Sequence, residues 1–236
     1  MTFPPVTTTG TDRAALCETA AGWLFFHDLF RFPTDTQWAW LHEPSMAAAW
    51  NLLATHLDVE VPSDLPLPDT RAAYEQIFLS MFEVGMPAPE CPLIESHWHR
   101  ELPAPKVLYE NILFYKQFGL NLRASANETA DHLRHQSEFL HYLCRQEAEW
   151  RLDPERSTLA ESCAQGRRDF LARHVLTWLP RAEDRLRQNC PGGWPAHWLT
   201  LLTCFADTQR DTGGHYESHA MAMIRTSPKS VIRSIG

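Results

Sequence analysis

Apolar residues recur along most of this chain at three- and four-residue intervals, the spacing of one helix face. Leu16, Ala20, Leu24 and His27 share such a face in a stretch that Thr11 or Asp12 can cap, predicting a first helix over about 11–30. Pro33 interrupts it, and Thr34 or Asp35 can restart a helix through Trp38 and Trp40. Further helices are predicted over 45–57 and 70–83, the latter with Tyr74, Ile77, Phe78 and Met81 at i, i+3, i+4 and i+7. A helix over 105–118 places Leu108, Ile112 and Tyr115 on one face, with Gly119 where a C-terminal cap belongs. Ser125 and Glu128 read as a capping box opening a helix to about Trp150. The pattern then predicts a long helix over 157–179, stopped by Pro180, and a last one over 195–208.

Proline sets the breaks. Residues 61–70 hold three prolines and residues 85–105 hold five, which excludes regular structure through most of both stretches. A long loop inside a helical domain is uncommon and frequently functional, so 85–105 is a candidate working segment. Residues 1–10 are expected to be a flexible arm and 211–236 a flexible tail. No repeat of 20–50 residues is evident. These elements sum to an all-α chain: one compact domain of about eight helices over 11–210, joined by Pro-rich loops.

Composition supports that picture. The chain has 236 residues, with Leu (28) and Ala (25) far outnumbering Val (7) and Ile (6), a bias toward helix and against a sandwich or barrel. The formal charge is −8, so a general nucleic-acid binder, which needs a basic stripe, is not expected. The sign fits a basic peptide partner, as it also fits plain solubility. Cys17, Cys91, Cys144, Cys163, Cys190 and Cys204 are irregularly spaced with no C-x-x-C, suggesting free thiols in a reducing compartment. No apolar run approaches the ~18 residues of a membrane span, so a cytoplasmic protein without stable membrane insertion is expected.

Candidate chemistry concentrates in two places. On the 125–150 stretch, His132 falls in the apolar sector of the helical wheel, and Asp131, His135 and Glu138 fall on a neighbouring polar face. One reading is a hydrogen-bonded core histidine beside a solvated acidic face. The other is a pocket edge where Asp131 with Glu128 or Glu138 meets a guanidinium in forked geometry. A metal-dependent enzyme using His132, His135, Glu138 and His141 is the competitor, but only one E-x-x-H occurs and no nucleotide-binding or hydrolase signature is present. The second place is the Pro-rich loop. Phe82, Met86, Leu93 and Trp98 flank it, either as ordinary core or as an apolar groove with an acidic rim suited to a peptide.

Four segments in order carry a family resemblance. Phe82-Glu-Val-Gly-Met-Pro-Ala-Pro-Glu90-Cys-Pro-Leu-Ile-Glu95-Ser96 resembles the Pro-rich loop of the TorD/DmsD/NarJ family of molybdoenzyme maturation chaperones. Tyr109–Leu120 resembles the helix and turn after it, Glu128-Thr-Ala-Asp131-His132 the E-x-x-D-H segment, and His174-Val-Leu-Thr-Trp178-Leu-Pro the later H-x-x-x-W-x-P segment. Cys91, and His97-Trp98-His99, depart from the pattern. The resemblance implies a non-catalytic cytoplasmic chaperone with no cofactor of its own. Its implied partner is the apo catalytic subunit of a DMSO-reductase-type molybdopterin enzyme with its twin-arginine leader, held until cofactor insertion so that export is delayed. The implied client-binding residues are Pro89, Glu90, Glu95, Ser96, Asp131 and His132; the groove and helix readings add Phe82, Trp98, Glu128 and Glu138. A signal-independent assembly scaffold is an alternative role, and a monomer or domain-swapped dimer is expected.

Overall fold

A computed structural model describes residues 10–62, 65, 67–122, 128–211 and 232–234. Ten α-helices lie among them: α1 (Gly10–Leu29), α2 (Asp35–Leu41), α3 (Pro44–His56), α4 (Arg71–Phe78), α5 (Glu95–Trp98), α6 (Ala104–Gln117), α7 (Leu133–Trp150), α8 (Ser157–Phe170), α9 (Leu179–Asn189) and α10 (Trp194–Asp211). Two three-residue strands, β1 (Leu120–Leu122) and β2 (Ile232–Ser234), pair antiparallel, Leu120 opposite Ser234 and Leu122 opposite Ile232. The all-α class holds. The expected N-terminal arm, apart from Gly10, which opens α1, and most of the expected tail lie outside the described residues.

α7 is the central helix. α1 packs along one side of it and α8 along another, and α10 packs on α9. Leu133–Leu140, more than two turns, is buried on every side, including Arg134, His135, Gln136, Ser137 and Glu138. The polar face expected to be solvated is therefore interior. Aromatic rings fill the core in two groups. Phe30, Tyr74, Phe78, Phe82, Trp194 and Trp198 form one, with Trp194 and Trp198 4.4 Å apart. Tyr115, Phe118, Phe139 and Phe170 form the other, most rings edge-to-face.

Several helix boundaries differ from the sequence reading. α7 starts at Leu133, not at 125, because the backbone before it is engaged elsewhere. Leu133 N–H donates to Leu93 O (2.8 Å) and Glu95 N–H to Asp131 O (3.0 Å), so residues 131–133 bridge the Pro-rich loop. His132 is extended (ψ 138°), and its Nδ1 caps the helix by accepting from Arg134 N–H at 3.1 Å. Residues 125–127 of the expected capping box lie outside the described residues, and Glu128 pairs with Arg134. The 157–179 helix ends at Phe170 and continues as a π-helical turn over Leu171–Val175, closed by Leu176 N–H to Leu171 O. Pro180 then starts α9 rather than stopping its predecessor, since the first helical positions need no N–H. α4 likewise continues as a π-helical turn over Leu79–Glu83, closed by Val84 N–H to Leu79 O at 2.7 Å. On α6 the buried row is Val107, Asn111 and Tyr115; Leu108 and Ile112 are half-buried.

Candidate client-binding site

The Pro-rich loop is pinned down at both ends. Cys91 N–H donates to Met81 O, and Glu90 N–H to Ser80 O, tying the loop to the π-helical turn before it. Gly85 sits where an added Cβ would lie 2.1 Å from Ala88 O, so only glycine permits this return of the chain. The short helix α5 is held from its N-terminal end by Asp131, whose Oδ2 accepts from Ser96 N–H at 2.9 Å while Oδ1 accepts from Thr129 Oγ1 at 2.7 Å. Trp98 Nε1 donates to Pro92 O and its ring stacks toward Trp178.

Behind the loop lies a buried polar network built on Glu95. Its carboxylate accepts from His174 Nδ1 (3.0 Å), His99 Nε2 (3.2 Å), Asn111 Nδ2 (2.8 Å) and Gln136 Nε2 (2.6 Å). Trp178 Nε1 closes the set by donating to Gln136 Oε1 at 3.2 Å. These side chains come from α5, the residue after it, α6, α7, the second π-helical turn and the start of α9. One carboxylate joins four segments, α5 with His99, α6, α7 and the second π-helical turn, and Trp178 is tied in through Gln136. A buried charge persists only when so paired. Tyr115 OH donates to Ala130 O beside it, and burial, then the charges of Glu95, Asp131 and Glu138, push its phenol well above the usual range.

A second network, buried apart from Glu128, lies at the N-terminal end of α7. Arg134 pairs with Glu128, and its Nε donates to His27 O at 3.2 Å. His27 Nδ1–H donates to Arg134 O (3.0 Å) and its Nε2 accepts from Arg134 Nη2 (3.2 Å), so the geometry requires the neutral imidazole. Burial first, and the Arg134 charge second, lower the His27 pKa to about 3. Burial also holds His132 well below its usual value. His135 Nδ1 donates to Thr129 O at 2.9 Å, and its Nε2 lies 3.6 Å from Glu128. Next to this cluster stands Glu83, exposed at the end of the π-helical turn. Desolvation and then the neighbouring charge of Glu128 raise its carboxyl pKa, with Arg134 opposing. Val84 (65% exposed) and Met86 (98%) follow it directly.

The residues singled out from sequence therefore divide. Phe82, Glu95, Asp131, His132 and Glu138 are buried. Pro89, Ser96, Trp98 and Glu128 are half-buried, and Glu90 is exposed, accepting from Asn189 Nδ2 at 2.9 Å and facing Arg185. The folded chain brings Glu95, Ser96 and Asp131 together but holds Glu90 apart on the α9 side. Sequence reasoning missed Asn111, Gln136, Arg134, His27 and Glu83. Asn111 had a signal, four residues from each of Val107 and Tyr115 on the buried row; Arg134 and His27, 107 residues apart, had none. For the metal alternative, His141 Nδ1 donates to Ala20 O on α1 at 2.7 Å. Among the described residues no three His, Cys, Asp or Glu side chains are grouped to hold a metal ion, and no helix is long and apolar enough to cross a membrane.

Fold and site together define a mostly helical protein whose buried polar networks pin a Pro-rich loop. The chain belongs to the nitrate reductase delta subunit family, whose model matches residues 42–184 and thus α3 through most of α9. It is 33% identical over 133 residues to the perchlorate reductase assembly chaperone protein of Dechloromonas aromatica, covering 56% of this chain and 58% of that one. It is 30% identical over 167 residues to the chlorate reductase assembly chaperone protein of Ideonella dechloratans, and 29% identical over 167 residues to the selenate reductase assembly chaperone protein of Thauera selenatis. Each of these two matches covers 71% of this chain and 76% of the relative. No solved structure matches.

Proposed function

We propose that this chain is a cytoplasmic maturation chaperone for the catalytic subunit of a molybdenum reductase of the DMSO-reductase type. It binds the subunit's twin-arginine leader, assists cofactor insertion and delays export. Family membership, and relatives named as reductase assembly chaperones, support the chaperone role.

The observation that carries the leader reading is the rim at the mouth of the Pro-rich loop. Glu83 and Glu128 lie close enough that the charge of Glu128, after desolvation, raises the Glu83 carboxyl pKa, with Arg134, the partner of Glu128, opposing it. Val84 and Met86, both exposed, continue the rim as apolar surface. Two carboxylates beside apolar side chains match a peptide that is basic and then apolar. Ser96, Trp98, Pro89 and Glu90 extend the contact along the loop. Glu95, Asp131, His132, Phe82 and Glu138 act from inside, holding the loop and α7 in place.

The test is titration of a synthetic leader peptide into wild type and the Glu83→Gln/Glu128→Gln double variant. Each charge-assisted contact is worth roughly 1.5–3 kcal/mol, so the variant binds at least about tenfold more weakly. Unchanged affinity with unchanged helical content would sink the assignment of the leader to this rim.

A further inference from the structure

α6 carries a second surface that the leader site does not use. Its buried row is Val107, Asn111 and Tyr115. About 180° round the helix, at 100° per residue, lie Lys106, Tyr109, Leu113 and Lys116, all exposed. Tyr109 is 60% and Leu113 45% exposed, and neither packs on the core, unlike Ile112 and Phe114 beside them. The chain's lysines are Lys106, Lys116 and Lys229, so two of three stand on this stripe. Neither Lys106 nor Lys116 has a carboxylate partner among the described residues, whereas the nearby Arg173 pairs with Glu110 and lies over the Phe114 ring.

We infer that this face docks an acidic amphipathic helix on the mature, leaderless part of the client, a contact separate from the leader rim; the inference rests on the maturation reading. The two ammonium groups sit ten residues apart, about 15 Å along the axis. A partner helix meets them with two carboxylates some three turns apart and lays its apolar side chains on Tyr109 and Leu113. Charge selects this occupant. A chain of formal charge −8 that leaves two lysines unpaired on one apolar stripe is complementary to an acidic surface. An anionic membrane calls for clusters of about four to eight cations, which two lysines do not form. Self-pairing of this face would set lysine against lysine.

The test uses the full chain and the catalytic subunit that co-purifies with it, prepared with and without its leader. In the variant Lys106→Glu/Lys116→Glu, and separately in Tyr109→Ser/Leu113→Ser, affinity for the leaderless subunit falls by about tenfold or more. Affinity for the isolated leader peptide is unchanged, which also shows that both variants fold. Carbodiimide cross-linking joins Lys106 or Lys116 to client carboxylates, and changing those to lysine restores binding to the Lys→Glu variant. Equal binding of the leaderless subunit by wild type and variants, or none by wild type, overturns the second surface and leaves the leader rim standing. Failure of wild type to bind the subunit in any form overturns the maturation reading instead. Lysine-dependent binding to phosphatidylglycerol vesicles, or a wild-type dimer that the Lys→Glu variant dissociates, overturns the proposed occupant in favour of a membrane or a second copy.

Discussion

Glu95 is the residue on which the loop depends. Removing its side chain takes the shared acceptor from the buried Asn111 and Gln136 amides and the His174 imidazole, leaving the amides only their remaining bonds to Val107 O, Asn111 Oδ1 and His174 O. Breaking such a network typically costs about 3–5 kcal/mol, so Glu95→Ala shifts the urea midpoint far below wild type. Glu95→Gln keeps the shape but presents an amide N–H to four donors, and destabilises nearly as much. A loss of client binding in either variant thus reports lost structure, which distinguishes Glu95 from Glu83. His27 predicts the pH response. Its folded pKa, about 3, lies below the unfolded value near 6.5, so the unfolded state binds the extra proton between them. The stability it contributes is present above pH 6.5 and is lost as pH falls toward 3, at up to about 1.4 kcal/mol per pH unit. The lowered pKa values of His132, His135 and His141 act in the same direction. Thermal melts at pH 7 and pH 5 check this; His27→Gln, which can keep a donor toward Arg134 O, flattens the difference.

At the scale of elements, the Pro-rich loop takes its shape from its neighbours more than from itself. Asp131, outside the loop, caps α5 and lends its carbonyl to Glu95 N–H. Asp131→Asn keeps one acceptor but loses the charge on the helix end, costing about 1 kcal/mol. Faster amide exchange confined to 93–98 is the expected signature; uniform acceleration across all helices would refute the local role. Gly166, on the face of α8 toward α6, belongs to the same argument. An added Cβ would stand 2.3 Å from the Phe118 ring, which is itself packed on Phe139. Gly166→Ala therefore forces α8 or the ring aside and destabilises by roughly 1–3 kcal/mol, readable by urea denaturation. The π-helical turns are the elements sequence could not show. Periodicity over 70–83 and 157–179 is continuous in both, and a single widened turn leaves no composition mark.

At the scale of the whole molecule, the two outward faces divide by charge. The loop mouth shows Glu83 and Glu128 beside apolar side chains, and the outer side of α6 shows lysines beside apolar side chains. A chaperone that recognises a basic leader and an acidic region of the same client would use both signs at once, and linking two modest contacts raises avidity without new chemistry. The corresponding prediction is ionic: leader affinity falls as salt rises from low to physiological strength, because the carboxylates of the rim are solvent-accessible and screened. Salt-independent affinity measured by titration calorimetry would show that apolar contacts alone hold the leader.

Helix class, the approximate positions of most helices and the Pro-rich breaks were determined by the sequence alone, because 3.6-residue periodicity and the missing proline N–H are local properties. The same is true of the motifs that placed Glu95, Asp131 and His132 together as residues of interest. Only the tertiary structure decided which of the candidate residues are buried and which reach the surface. Burial of Leu133–Leu140 on all sides depends on α1 arriving from more than a hundred residues away, and a helical wheel of α7 by itself does not show that its polar face is buried over these residues while Arg145 and Glu149 further along are exposed. The start of α7 was decided the same way, since Asp131 C=O and Leu133 N–H bond to Glu95 N–H and Leu93 C=O and so are withdrawn from a helix continuing through 131–133. Side chains that a linear pattern marks as a binding face become the frame, and Glu83, which was not singled out within its motif, is left at the surface.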